Sequence, residues 1–211
     1  MTSPFGDVDA PARSGERLGI FGGTFDPPHV GHLVTAVNVR HELVLDRVLL
    51  VVNDQPWQKL GTREITPGID WLAMVEAAVG DVEGLEASGI ELDRGGTSYT
   101  ADTLAELLAA DPMLDLHVIL GSDAAAGLPD WERADEVRAL ATIVVVERPG
   151  TGEGEPPPGW SWVRVEVPRL EVSSTDLRAR VADGRPLDYL LTPEVITTIG
   201  RRGLYRERVA P

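Results

Sequence analysis

Three short segments, RVLLVV at 47–52, LHVIL at 116–120 and TIVVV at 142–146, are apolar with scarcely a break. A strand wetted on one face alternates apolar and polar residues, so runs of this kind mark strands covered on both faces. Between them lie stretches with helical spacing, at 30–43, 69–79 and 100–110. Buried strands alternating with helices imply a parallel sheet with helices on both sides. Further strands are expected at 18–21, 85–92 and 163–167, and further helices at 174–183 and 193–201. Ser173 and Thr192 stand as caps of the last two, Pro193 occupies a first helical position, and Gly203 lies just past an end. The expected fold class is α/β: a Rossmann-like doubly wound parallel sheet flanked by helices, with a small C-terminal helical appendage. Residues 1–16 are rich in Pro, Gly, Ser and Asp and predict a disordered tail, not a signal peptide. Residues 17–205 predict a single domain, its helical part at about 170–205, followed by a tail at 206–211.

The formal net charge is −15, which argues against a generic binder of nucleic acid or of anionic membranes. No apolar run reaches the length of a membrane helix, so a soluble cytoplasmic protein is expected. There are no cysteines, which removes disulfides, thiol catalysis and cysteine metal sites. The four histidines, His29, His32, His41 and His117, make a structural zinc cage an unattractive reading, and no metal-ligating residues are assigned.

In a doubly wound sheet, ligands sit beyond the C-terminal ends of the strands. The chain's chemical motifs fall there. After the first expected strand comes GGTFDPPHVGH at 22–32. Gly22 and Gly23 allow close backbone approach to a phosphate, and the following helix start supplies N–H groups and a positive dipole end. His29 and His32 are spaced to share one helix face. After the second strand, Lys59 is either a phosphate ligand or a solvated loop lysine. After the third, Thr97, Ser98, Tyr99 and Thr100 open a helix that either receives a carboxylate or is capped by a box from Thr100 to Thr103; the two roles are compatible.

Gly121-Ser122-Asp123 follows the fourth strand, where a carboxylate can grip ribose hydroxyls or orient a helix. Trp131, in a polar setting, is a stacking platform or a half-buried anchor. Glu147-Arg148-Pro149-Gly150 follows the fifth strand. SSTDLRAR at 173–180 follows the sixth: Ser174, Thr175 and Arg178 suit a second phosphate group, or mark an ordinary helix cap. His41 and His117 read as structural, Trp160 and Trp162 as packing, and Trp71, Leu72 and Met74 as core.

With these motifs in order, the chain resembles the T/HxGH nucleotidyltransferases. SYTADTL, GSDAAAGLPDW, ERPG, SSTDLRAR and the closing Gly203-Leu204-Tyr205 make it similar to the bacterial nicotinate-nucleotide adenylyltransferases over most of 17–205. The resemblance implies transfer of AMP from ATP to nicotinate mononucleotide, releasing pyrophosphate, in NAD biosynthesis. It implies that His29, His32 and Arg178 act on the ATP phosphates, and that Gly22, Gly23, Thr24, Phe25, Gly121, Asp123, Ser174 and Thr175 bind ATP. Lys59, Thr97, Ser98, Tyr99, Thr100, Trp131 and Arg148 would receive the mononucleotide. Mg²⁺ is expected with ATP as co-substrate, held mostly by water and phosphate oxygens. Partners are expected to be these small molecules, and a homo-oligomer is left open. Two positions depart from the family pattern: Gln58 stands where a histidine is common, and Trp71 where an arginine is usual. The alternatives are nicotinamide mononucleotide as acceptor, another reaction of the superfamily, or a nucleotide-binding protein without turnover.

Overall fold

The computed structural model describes residues 15–53, 66–80, 82–147 and 154–206. Among them six strands form one parallel sheet: β1 (Arg17–Gly23), β2 (Arg47–Val52), β3 (Leu85–Ser88), β4 (Asp115–Gly121), β5 (Ala141–Glu147) and β6 (Trp162–Glu166). Their order is β3-β2-β1-β4-β5-β6. The chain winds outward in one direction from β1 and in the other from β4, so the border between these two is the switch point at which loops part to leave a crevice.

The unbroken apolar runs are explained by two cores. Along β2, Val48, Leu50 and Val52 face one cluster, and Leu49 and Val51 face the other. Along β5, Val144 and Val146 face the first, and Ile143 and Val145 the second. Helices α1 (Val30–Glu42), α2 (Gly68–Val79), α7 (Ser174–Asp183) and α8 (Pro193–Arg202) cover the first face. They bury Val39, Trp71, Met74, Leu177 and Val195 there. Helices α4 (Thr100–Ala110) and α6 (Ala134–Leu140) cover the second, with Leu104 and Val137. Trp71 is only 2% exposed, so the departure at this position is a core tryptophan. Trp160 and Trp162 pack against the second cluster, as expected.

The third strand is shorter than the sequence suggests. It stops at Ser88, which pairs with Val51 near the end of β2, and the chain turns into helix α3 (Ile90–Arg94). The Ser88 hydroxyl accepts from the Ile90 N–H at 3.4 Å, and a Cβ on Gly89 would lie 2.9 Å from a Leu72 methyl. Helix α6 was not anticipated, nor were helix α5 (Ser122–Ala126) and a 3₁₀ turn at Leu128–Asp130.

At the opposite end of the sheet from the crevice, His117 is buried in β4 beside Arg17. Arg17 Nη2 lies 3.0 Å from His117 Nε2, and His117 Nδ1 lies 3.0 Å from the Asp115 carbonyl. Guanidinium only donates, so Nε2 accepts and the single proton sits on Nδ1. Burial lowers the His117 pKa, against the pull of Asp115, and keeps the ring neutral. His41 sits exposed in the last turn of α1, where positive charge suits the helix dipole.

Candidate active site

Strand β1 delivers the chain to the crevice at Gly22 and Gly23. Gly22 is exposed, and a Cβ there would meet only Asn53 Oδ1, at 3.9 Å. It leaves an open ledge of backbone. Gly23 serves another purpose: its Cβ would stand 3.0–3.2 Å from the Phe25 ring. Phe25 adopts a left-handed φ of 46° and is 3% exposed. Its ring is therefore an interior wedge, edge-on to Phe21 at 5.7 Å and to His32 at 5.1 Å between centroids. What the 22–25 turn offers outward is backbone and Thr24, with the Phe25 side chain beneath the histidines.

His29 and His32 are stacked, with centroids 3.7 Å apart and planes 21° from parallel. Helix α1 begins at Val30, with His29 as the extended N-cap residue. The His29 backbone N–H donates to His32 Nδ1 at 3.1 Å. A neutral imidazole with Nδ1 accepting carries its proton on Nε2, so the backbone fixes His32 as an Nε2–H donor. The helix start is not a bare row of amides, because the Val30 N–H donates to the Leu190 carbonyl at 3.0 Å.

The C-terminal appendage grips this loop repeatedly. Ser173 caps α7, its Oγ accepting from the Asp176 N–H at 3.2 Å. Ser174 Oγ donates to the Pro27 carbonyl at 2.9 Å. Arg178 Nη1 donates to the Asp26 carbonyl at 2.6 Å and lies 3.6 Å from Asp26 Oδ2, while Nη2 donates to Thr175 Oγ1 at 3.0 Å. Tyr205 donates to Asp26 Oδ1 at 2.8 Å. Burial, and then the neighbouring Asp26 carboxylate, push the Tyr205 pKa far above its ordinary value, so the phenol stays a donor. Asp26 is 2% exposed. Asp26 and Tyr205 stand inside motifs at opposite ends of the domain, 179 residues apart in the chain, so nothing local in the sequence pairs them. The one available signal was a tyrosine soon after a helix-ending glycine.

On the other side of the switch point, β1 and β4 are in register to Phe21 and Ile119, two residues short of Gly23 and Gly121. Gly121 ends β4 exposed, with nothing within 4 Å of a Cβ, and Asp123 lies exposed in the first turn of α5. Gly95 and Gly96, at φ 69° and 83°, turn the chain into Thr97, Ser98, Tyr99 and Thr100. Of the two readings of this segment, the Thr100–Thr103 capping box does not form: Tyr99 is the N-cap residue of α4 and makes no side-chain cap. The Thr103 hydroxyl is committed elsewhere, donating to buried Glu91 at 2.7 Å and accepting from Arg94 at 3.0 Å.

Arg133, which follows Trp131 by two residues, pairs with Asp102 in the first turn of α4. This contact joins the Thr97–Thr100 turn to the tryptophan segment. Trp131 packs against the second cluster and also borders a cavity of about 600 Å³ lined among others by Pro129, Arg133, Asp135, Glu136, Arg138 and Trp160. Anchor and platform are thus compatible roles for one ring. Lys59 and Arg148, together with Gln58, lie outside the described residues.

Backbone ledge, imidazole N–H and guanidinium at one strand end suit a polyphosphate. The recess bordered by Trp131 and Trp160 offers apolar ring faces with Arg133 and Arg138 at its edge, beside the carboxylates of Asp135 and Glu136, which suits a flat aromatic ring.

The profile of the cytidylyltransferase-like family matches residues 20–180. A protein of Corynebacterium kroppenstedtii named "Probable nicotinate-nucleotide adenylyltransferase" is 43% identical over 192 residues, covering 90% of each chain. Its namesake in Streptomyces coelicolor is 45% identical over 188 residues, covering 88% of this chain and 98% of the other. In structure, the Plasmodium falciparum nicotinic acid mononucleotide adenylyltransferase, solved in complexes with APC and with NaAD, superposes with a TM-score of 0.71. The identity is 16%, covering 90% of this chain and 97% of that one, and it establishes a shared fold.

Proposed function

The chain belongs to the nicotinate-nucleotide adenylyltransferases, within the cytidylyltransferase-like family, and on that premise we propose that it transfers AMP from ATP to nicotinate mononucleotide. The products are nicotinate adenine dinucleotide and pyrophosphate, a step of NAD biosynthesis. A phosphate oxygen of the mononucleotide attacks the α-phosphorus of ATP, and the bond from that phosphorus to the departing pyrophosphate breaks. The attacking phosphate has a second pKa near 6 and is largely ionised at neutral pH. No general base is required, so catalysis rests on alignment and on donors aimed at developing charge.

The observation that carries this reading is the His29 N–H to His32 Nδ1 bond of 3.1 Å, which commits His32 Nε2–H to donation. We assign His29, His32 and Arg178 to the triphosphate, with Gly22, Gly23, Thr24, Ser174 and Thr175 around it and the Phe25 ring as a support. Gly121 and Asp123 receive the nucleotide ribose. Thr97, Ser98, Tyr99, Thr100 and Trp131 receive the acceptor's ring and carboxylate, with Lys59 and Arg148 completing that half. Among the described residues no group of three or more His, Asp or Glu is placed to hold an ion. Mg²⁺ enters this reading as part of the ATP complex and neutralises charge on the phosphates. Residues 17–205 act as one domain. Among the described residues no helix is long and apolar enough to cross a membrane, in keeping with the cytoplasmic setting we propose.

The test is pyrophosphate release with ATP and Mg²⁺, comparing nicotinate and nicotinamide mononucleotides. A site that pairs a carboxylate with N–H donors rejects the amide strongly, so a large preference for the nicotinate form is expected. Equal rates with both acceptors would move the enzyme to the nicotinamide branch, and silence with both would refute turnover.

A further inference from the structure

The Tyr205 side chain reaches the buried loop between β1 and α1 from just beyond the last helix. Its hydroxyl donates to Asp26 Oδ1 at 2.8 Å. The other oxygen of the same carboxylate, Oδ2, lies 3.6 Å from Arg178 Nη1. Asp26 is 2% exposed, so water contributes little to satisfying that charge. Among the described residues a phenol and a guanidinium both approach that carboxylate, one at each oxygen. The Tyr205 backbone is held in the left-handed region, at φ 62°, where a bulky side chain is a strained exception. Strain retained at a residue whose hydroxyl ends on a carboxylate behind the nucleotide loop points to a task for that hydroxyl.

We propose that Tyr205 is a positioning residue for Arg178: by occupying Asp26, its hydroxyl prevents the buried carboxylate from drawing the guanidinium into a tight ion pair and leaves it disposed toward ATP phosphates. Without the hydroxyl, Asp26 loses a donor, and among the described residues the cation paired with it is Arg178. A salt bridge closing from 3.6 Å to a charge-assisted hydrogen bond would retract the guanidinium from its ligand. The Arg178 contact to the Asp26 carbonyl, at 2.6 Å, already orients Nη1 along that path. The phenol's raised pKa supports the scheme, because a permanently protonated hydroxyl offers Asp26 a donor at every working pH.

This inference rests on the assignment of Arg178 to the triphosphate. The experiment compares the full chain with Tyr205→Phe, Asp26→Asn and the double variant, by steady-state pyrophosphate release and by calorimetric titration with ATP. Tyr205→Phe is expected to raise the KM and Kd for ATP about tenfold, with the KM for nicotinate mononucleotide changed less than twofold. In the Asp26→Asn background the carboxylate is gone, so adding Tyr205→Phe should change ATP affinity less than twofold. A Tyr205→Phe protein with ATP affinity within twofold of the parent overturns the inference. So does a rise that persists undiminished in the Asp26→Asn background, or an equal rise in both KM values, which would mean a general loosening of the fold. If Tyr205→Phe does not fold, Asp26→Asn alone decides: it should bind ATP at least as tightly as the parent, and weaker binding refutes the competition. A parent that binds ATP without releasing pyrophosphate would refute the proposed reaction while leaving the titration able to judge Tyr205.

Discussion

Gly19 lies at the centre of the sheet and should tolerate no side chain. It is buried in β1, opposite Val48 of β2 and His117 of β4. A Cβ there would meet Val48 Cγ2 at 2.9 Å, Leu45 Cδ1 at 3.0 Å and Ile119 Cδ1 at 3.1 Å. Carbon atoms rest about 3.5–4.0 Å apart, so the added methyl is crowded by three neighbours at once. Those neighbours are themselves buried core residues, with little room to retreat. Overpacking of this kind costs about 1–3 kcal/mol. Removing a glycine from the unfolded ensemble returns roughly 0.4–1 kcal/mol. The midpoints of these ranges leave Gly19→Ala destabilised by roughly 1.3 kcal/mol, which in a chain of this size lowers Tm by roughly 3–5 °C. Differential scanning calorimetry of the full chain reads this directly. The matched control is Gly200→Ala in α8, where a Cβ meets nothing within 4 Å and alanine should raise stability by about 0.8 kcal/mol. A Gly19→Ala protein melting at or above the parent would refute the crowding argument.

Three other outcomes are expected. Gly22→Ala should melt like the parent, because its methyl projects into open space, yet lose about tenfold or more in ATP affinity by obstructing the ledge; unchanged titration curves would remove the ledge from the site. His32→Ala should cost at least ~100-fold in turnover with the fold intact, as for loss of one transition-state donor, and a near-normal rate would sink the assignment. His117 has a lowered pKa in the folded state, so the unfolded chain binds more protons below about pH 6.5. The stability it contributes is complete above that pH and is lost as pH falls toward the depressed folded value, by up to about 1.4 kcal/mol per pH unit. Thermal melts across pH 5–8 should show a shallower acid decline in His117→Gln than in the parent.

The inner strands β2, β4 and β5 announced themselves in the sequence, because burial on both faces forces apolar runs that no solvated loop imitates, whereas the edge strands β3 and β6 are less buried and gave only a partial alternation. The third was overextended because LEASGIEL carries an alternation that serves a strand up to Ser88 and a short helix after it. Gly89, packed under Leu72, is where one becomes the other. The short helix after β4 left no periodic trace, since five residues cannot complete a repeat. At the site, the histidine spacing and the Ser173 cap were legible because they are local. The role of Phe25 was not: its left-handed backbone turns an apparently ligand-facing ring into a wedge against His32. Nor could one sequence show that Asp26 answers to Tyr205, because a hydrogen bond between such distant positions leaves no pattern in either neighbourhood.

The grip of the appendage on the histidine loop also sets the order in which the molecule becomes competent. Pro27 waits for Ser174, 147 residues later, the Asp26 carbonyl for Arg178, 152 residues later, and the Asp26 carboxylate for Tyr205. At translation speeds of about 5–20 residues per second, the ribosome delivers the first of these partners roughly 7–30 s after the loop itself. All six strands and both histidines are synthesised before any of these clasps. A chain cut short ahead of Ser174 thus retains the histidines and glycines of the loop but not the hydrogen bonds from Ser174, Arg178 and Tyr205 that hold its Asp26-Pro27 segment in place.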